Sequence, residues 1–273
     1  MTATPNHALQ RTAPCVTVAA PRRPAAQLPR RAPPVADLVL VRRFSRSLIT
    51  TQNQHNEMNF YNQYPMMRPY VGKNFRNAGF PSLLLIGESH YLPEGSSQHL
   101  SAETWYASSS DTLSPDQIEW ISTAALLDSS RAEGFSNAAH SIWSNPLSEI
   151  NEYGPRYSDY KRVADDIAFY NFFLRPGLEG DSLAVSAQDI ELANESFRAH
   201  YETLKPTAVV FLSSLAHNHF HPTEPLSVPV IATPHPGCEW WNRVAQKYGN
   251  KRGRDILADF IKTTNWPQSP DSK

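Results

Sequence analysis

Four short stretches carry residue types able to bind, donate or accept protons. Each follows an apolar run. Gly87-Glu88-Ser89-His90-Tyr91 packs a carboxylate, a hydroxyl, an imidazole and a phenol into consecutive positions, Asn171 ends an aromatic run, Ser213-Ser214 follows another, and His235-Pro236-Gly237 follows the last. A buried amide such as Asn171 is costly unless something satisfies it, which marks it for a cap or a ligand. Glu88 and His235 are the pair that suits bond cleavage: an acid that orients water or steadies a cation, and an imidazole that donates to developing negative charge.

Two other chemistries compete for these residues. His217, His219 and His221 alternate in AHNHFHP, so on an extended segment they would share a face suited to zinc, though no carboxylate partner stands out nearby. We expect no metal and no cofactor. Ser89 with His235 would make a hydrolase pair, but a nucleophile elbow needs glycine where Tyr91 stands.

The elements that position these groups read as buried parallel strands. Leu83–Ile86, bounded by Pro81 and Gly87, is too short for a helix and has no alternation, as in strands covered on both faces. Ile167–Phe173, Thr207–Ser213 and Val228–Thr233 repeat the pattern. Between them lie helical stretches: one opened by the capping-box sequence Ser114-Pro115-Asp116-Gln117, one over Ser136–Trp143 closed by Asn145-Pro146, and one over Asp189–Leu204 stopped by Pro206. A last helix covers Arg252–Lys262. Asn59–Pro69 reads as an irregular edge segment. Strands alternating with helices predict a three-layer α/β/α sandwich around a four-stranded parallel sheet, whose carboxyl ends share one edge.

Charge divides the chain. Residues 1–57 hold eight Lys+Arg against Asp37 and Glu57, while residues 58–273 carry 17 Lys+Arg against 24 acids, a net −7. The Pro/Ala/Arg-rich leader cannot bury enough surface to order itself and is expected to be disordered. NHALQRTAP resembles translated repetitive sequence ahead of a true start at Met58; a transit peptide or a nucleic-acid-binding arm are the other readings. Cys15 and Cys238 are too few for a disulfide framework, which suits a reducing cytoplasm, and no apolar run approaches the length of a membrane helix. A monomer is expected.

The order of motifs resembles the uracil-DNA glycosylase superfamily. Its Gly-led first motif would be Gly87–Tyr91, its base-reading strand Asn would be Asn171, and its late His-Pro-Ser type motif would be His235-Pro236-Gly237; the third strand matches Pro-x-x-Val-Val-x-Leu over Pro206–Leu212. The resemblance covers Ser82–Asn242. It implies cleavage of the N-glycosidic bond of a damaged or deaminated base in DNA, or a nucleobase-binding module that has lost catalysis. Glu88 and His235 would be catalytic, with Gly87, Ser89, His90, Tyr91, Asn171 and Phe172 around the base. Pro236, Gly237, Trp240, Trp241, Arg175 and Arg243 would contact nucleic acid. Gly237 stands where the family usually has a phosphate-contacting Ser, and the cluster-binding cysteines of some members are absent. With an acidic folded part, undamaged duplex should bind no tighter than about micromolar, through Arg175, Arg243, Lys251, Arg252 and Arg254.

Overall fold

The computed structural model describes residues 60–77, 81–178 and 183–264, so the leader lies outside the described residues. Among the described residues seven strands form in chain order: β1 (Tyr70–Val71), β2 (Leu83–Gly87), β3 (Tyr91–Leu92), β4 (Ile167–Asn171), β5 (Gly177–Leu178), β6 (Ala208–Phe211) and β7 (Val230–Ala232). Five make the main sheet in the order β1-β4-β2-β6-β7, and β3 pairs with β5 in a small second sheet. The four apolar runs are thus the four parallel strands. The main sheet nevertheless has five strands, because the two-residue β1 adds antiparallel to β4. So short a strand, with Val71 exposed, leaves no period in the sequence.

Alternation along β2 explains why the run is apolar throughout. Leu83 and Leu85 join one buried cluster with Phe169 and Val210, while Leu84 and Ile86 join another with Tyr170 and Phe211. Besides a helical turn over 60–63, the α-helices among the described residues are α1 (Ala102–Ala107), α2 (Pro115–Ile121), α3 (Thr123–Ala132), α4 (Ser141–Tyr153), α5 (Ala187–Leu204), α6 (Ser214–Asn218) and α7 (Gly253–Lys262). Leu147 and Ile150 of α4, with Leu257 and Ile261 of α7, pack in the first cluster; Ala193 and Phe197 of α5 pack in the second. A third cluster gathers Phe60, Tyr61, Tyr64 and Met67 with Trp105 of α1, so the edge segment expected to be irregular is instead helical over 60–63 and Pro65–Met67, and well buried.

Three helix boundaries differ from the sequence reading. The capping box at Ser114 and Gln117 forms, but the helix stops at Ile121 and restarts at Thr123. Asn145-Pro146 does not end a helix: α4 begins at Ser141 and runs through Pro146. An interior proline costs one hydrogen bond and a steric clash, about 3 kcal/mol, and burial of Trp143, Leu147 and Ile150 offsets it. α5 starts two residues early, at Ala187, under a reciprocal cap of Ser186 and Asp189, and ends on Lys205 in the left-handed region (φ 47°) just before Pro206.

Candidate functional site

At the carboxyl end of β2, Gly87 lies opposite Asn171 of β4 in the parallel register. A Cβ on Gly87 would collide with Asn171 Oδ1 and come within 2.9 Å of Phe169 Cζ. The glycine is therefore required for close approach, and not for the sharp turn that its place after a strand suggests. The half-buried Asn171 amide makes no hydrogen bond within the described residues, which leaves both its donor and its acceptor for a ligand. Beyond the strands, Phe172 N–H donates to Gly87 O (3.1 Å) and Phe173 N–H to Glu88 O (2.9 Å), so the ladder fixes the backbone that carries Glu88.

Glu88 accepts a 2.6 Å hydrogen bond at Oε2 from the Ser213 hydroxyl, which itself accepts from Ala216 N–H as the cap of α6. Burial pushes the Glu88 carboxyl above the usual range, with the Ser213 bond opposing the shift. Burial, and then the charge of Glu88, drive the Tyr91 phenol up, so Tyr91 stays a neutral hydroxyl beside the carboxylate.

His235 follows β7 across Thr233 and Pro234. Gly237 N–H donates to its Nδ1 (3.1 Å), which assigns the proton of the neutral ring to Nε2. Burial lowers the imidazole pKa to about 4, so at neutral pH Nε2–H is an uncharged donor. α4 holds this loop from behind: Asn145 Nδ2 donates to Pro236 O (2.8 Å), and Ser141 Oγ lies 3.0 Å from where a Gly237 Cβ would sit. A side chain at 237 would press on Ser141 Oγ and on the His235 ring, 3.3 Å away, so the glycine gives this turn its close fit.

Because β4, β2, β6 and β7 are parallel neighbours, Asn171, Glu88, Ser213 and His235 occupy one sheet edge. Adjacent strands are about 4.8 Å apart, so the strand ends carrying Glu88 and His235 are about 10 Å apart across β6. Gly87, Glu88, Tyr91 and Asn171 are joined by direct contact or charge; His235 approaches from the far side of β6.

Other expected site residues are engaged elsewhere. His90 is buried, its Nε2 3.0 Å from Thr123 Oγ1, and Thr123 donates to Met67 O (3.3 Å); burial lowers the imidazole to about 3. The ring ties the motif to the start of α3. Buried Ser89 Oγ has no hydrogen-bond partner among the described residues, so it forms no hydrolase pair with His235. Phe172 is fully buried against Phe173 and Phe211, with no ring face for a base. Trp241 is a core residue packed with Leu257 and Ile261, whereas Trp240 is half-buried under Lys247.

The expected basic rim is neutralised. Arg175 is buried and paired with Asp189 (2.6 Å); Arg243 pairs with Glu239 (2.8 Å), Lys251 with Asp259 (2.6 Å), Arg252 with Asp255 (2.7 Å) and Arg254 with Glu149 (2.5 Å). The three alternating histidines lose their premise too. His217 lies in α6 and His219 caps it, against Phe211 and Phe173 respectively, so alternate residues share no face with His221. Among the described residues no group of three His, Cys, Asp or Glu could hold a metal ion.

Sequence reasoning noted Ser213 as strand-end equipment and gave it no role; its place after the third apolar run was the available signal. Asn145 and Ser141 carried none, since both sit where the sequence suggests a helix ending. No protein-family model matches the chain, and no curated protein is significantly similar to it. Function is therefore read from this edge. No helix among the described residues is long and apolar enough to cross a membrane.

Proposed function

We propose that the chain is a uracil-DNA glycosylase-like protein, a three-layer α/β/α domain that cleaves the N-glycosidic bond of a damaged or deaminated base in nucleic acid. It would act as a cytoplasmic monomer without cofactor. Its main support is His235, held neutral with its tautomer set by Gly237, at the same sheet edge as a hydrogen-bonded carboxylate and an unspent amide. Breaking the bond sends an electron pair to the base and leaves positive charge on the sugar. His235 Nε2–H stabilises the negative base oxygen, Glu88 steadies the cationic sugar and orients the water that adds to it, the proton that water loses neutralises the departing base, and Asn171 pairs with the base edge. Tyr91 supplies a neutral hydroxyl and a ring face beside Glu88.

A second reading is a nucleobase-binding module without catalysis. It is favoured by the ion-paired rim and by Gly237, which leaves no hydroxyl for a phosphate. Incubating the purified chain with uracil-, hypoxanthine- and mismatch-containing oligonucleotides separates the two. Free base with an abasic strand is the expected result; binding with no base released would favour the module, and neither would remove the nucleobase reading.

A further inference from the structure

One cation near this edge has no acidic partner. Lys247 is exposed, and its Nζ lies 5.1 Å from the Trp240 ring centroid and 4.9 Å from that of Tyr248. Among the described residues it makes no ion pair, in contrast to Arg243, Lys251, Arg252 and Arg254 around it. Both rings are half-buried, so each keeps a solvent-facing portion. The segment is built: Gln246–Tyr248 forms a helical turn, Gly249 closes it in the left-handed region (φ 66°), and the Ala245–Lys251 bridge pins its ends.

Its location connects it to the candidate site. Ser214 Oγ donates to the Tyr248 hydroxyl (3.2 Å), and the preceding residue, Ser213, donates to Glu88. Tyr248 is thus anchored one residue from the group that holds the carboxylate, and Lys247 spans from its ring to that of Trp240. Two ring faces and one free ammonium suit an unstacked nucleotide: the rings take a base, the ammonium takes a phosphate. A duplex offers no exposed base face and needs several free cations along its backbone, which the paired rim does not supply.

We infer that Trp240, Lys247 and Tyr248 form a platform for an unpaired nucleotide next to the one held at the Glu88 edge, so that the partner is single-stranded nucleic acid. This rests on the nucleobase reading of that edge. Lys247 would leave the ring faces for the phosphate as the base stacks.

Fluorescence anisotropy of the full chain tests this, using a labelled, undamaged mixed-sequence DNA strand of about 16 nucleotides, alone or annealed to its complement, across a salt series. The single strand should bind at least about 10-fold tighter than the duplex. Trp240→Ala should weaken it roughly 5- to 150-fold, the range for one base stacked on one ring. Lys247→Glu, at an exposed site where folding is not at stake, should remove about 0.7 from the salt slope for each phosphate lost. Duplex binding as tight as single-strand binding, or single-strand binding indifferent to both variants, or none at all, would overturn the inference. Base release stays separate. Strand binding through Trp240 and Lys247 with no release would keep the platform and remove catalysis, while release from a free nucleoside without strand binding would do the reverse.

Discussion

Asn171 and Arg175 stand four residues apart at the end of β4, and the structure uses them in opposite ways. The Arg175 guanidinium is spent inside the protein: Nε and Nη2 grip Asp189 (2.9 and 2.6 Å), Nη2 also donates to Ala184 O (2.7 Å), and Nη1 donates to His99 O (2.9 Å). Asp189 in turn accepts from Tyr106 and from the backbone of Ser186. Burial alone would raise its carboxyl, but the Arg175 and Ser186 hydrogen bonds outweigh that and hold it below the usual range. Asn171, beside Gly87, spends nothing on the protein. A polar residue beyond a strand end whose hydrogen bonds are spent internally fastens the fold; one left unspent is available to a ligand.

Breaking the Arg175–Asp189 region should have the largest effect. Arg175→Ala leaves Asp189 buried and uncompensated, so urea denaturation should show a loss of about 3–5 kcal/mol. A loss under about 1 kcal/mol would mean that Arg175 is not fastening the fold.

His90 sharpens the contrast, because it belongs to the GESHY motif but is spent on Thr123. Its pKa, and that of buried His200, which lies 2.8 Å from the Tyr61 hydroxyl, fall to about 3 on folding. A depressed folded pKa gives stability that is complete above the unfolded value of about 6.5 and is lost as pH falls from there toward 3. Between pH 7 and 5 each histidine should cost about 2 kcal/mol of unfolding free energy. Glu88, with its raised pKa, contributes in the opposite sense, losing stability as pH rises through its folded value. Stability unchanged over that window would contradict the buried, neutral state of both rings.

Smaller effects belong to the unspent region. Gly87→Ala forces Asn171 and Phe169 aside and should cost about 1–3 kcal/mol of stability, while abolishing binding of a nucleobase ligand. Asn171→Ala should change stability by no more than about 0.5 kcal/mol yet weaken the same ligand, read by calorimetry. If Asn171→Ala destabilises as Arg175→Ala does, the distinction between the two residues fails.

The sequence revealed the four parallel strands because Leu83–Ile86 and its counterparts are buried on both faces and bounded by Pro, Gly or polar residues, a signal that is local. It also revealed that Glu88, Asn171 and His235 share one edge, since parallel strands leave no other arrangement. It could not separate Arg175 from Asn171, or Trp241 from Trp240, because the deciding partners, Asp189 in one case and the α7 residues Leu257 and Ile261 in the other, are brought up only by tertiary packing. Pro146 misled for a related reason: a local helix-stop signal was overridden by the burial of α4. β1 was hidden by its two-residue length.

The central claim is that Glu88 and His235 act together on a glycosidic bond, and single-turnover release of base from a uracil- or hypoxanthine-containing single strand tests it most directly. His235→Ala and Glu88→Gln should each slow release by about 10²- to 10³-fold with little change in fold. Release at the wild-type rate in both variants, or none from a well-folded wild type on any of these strands, would contradict it.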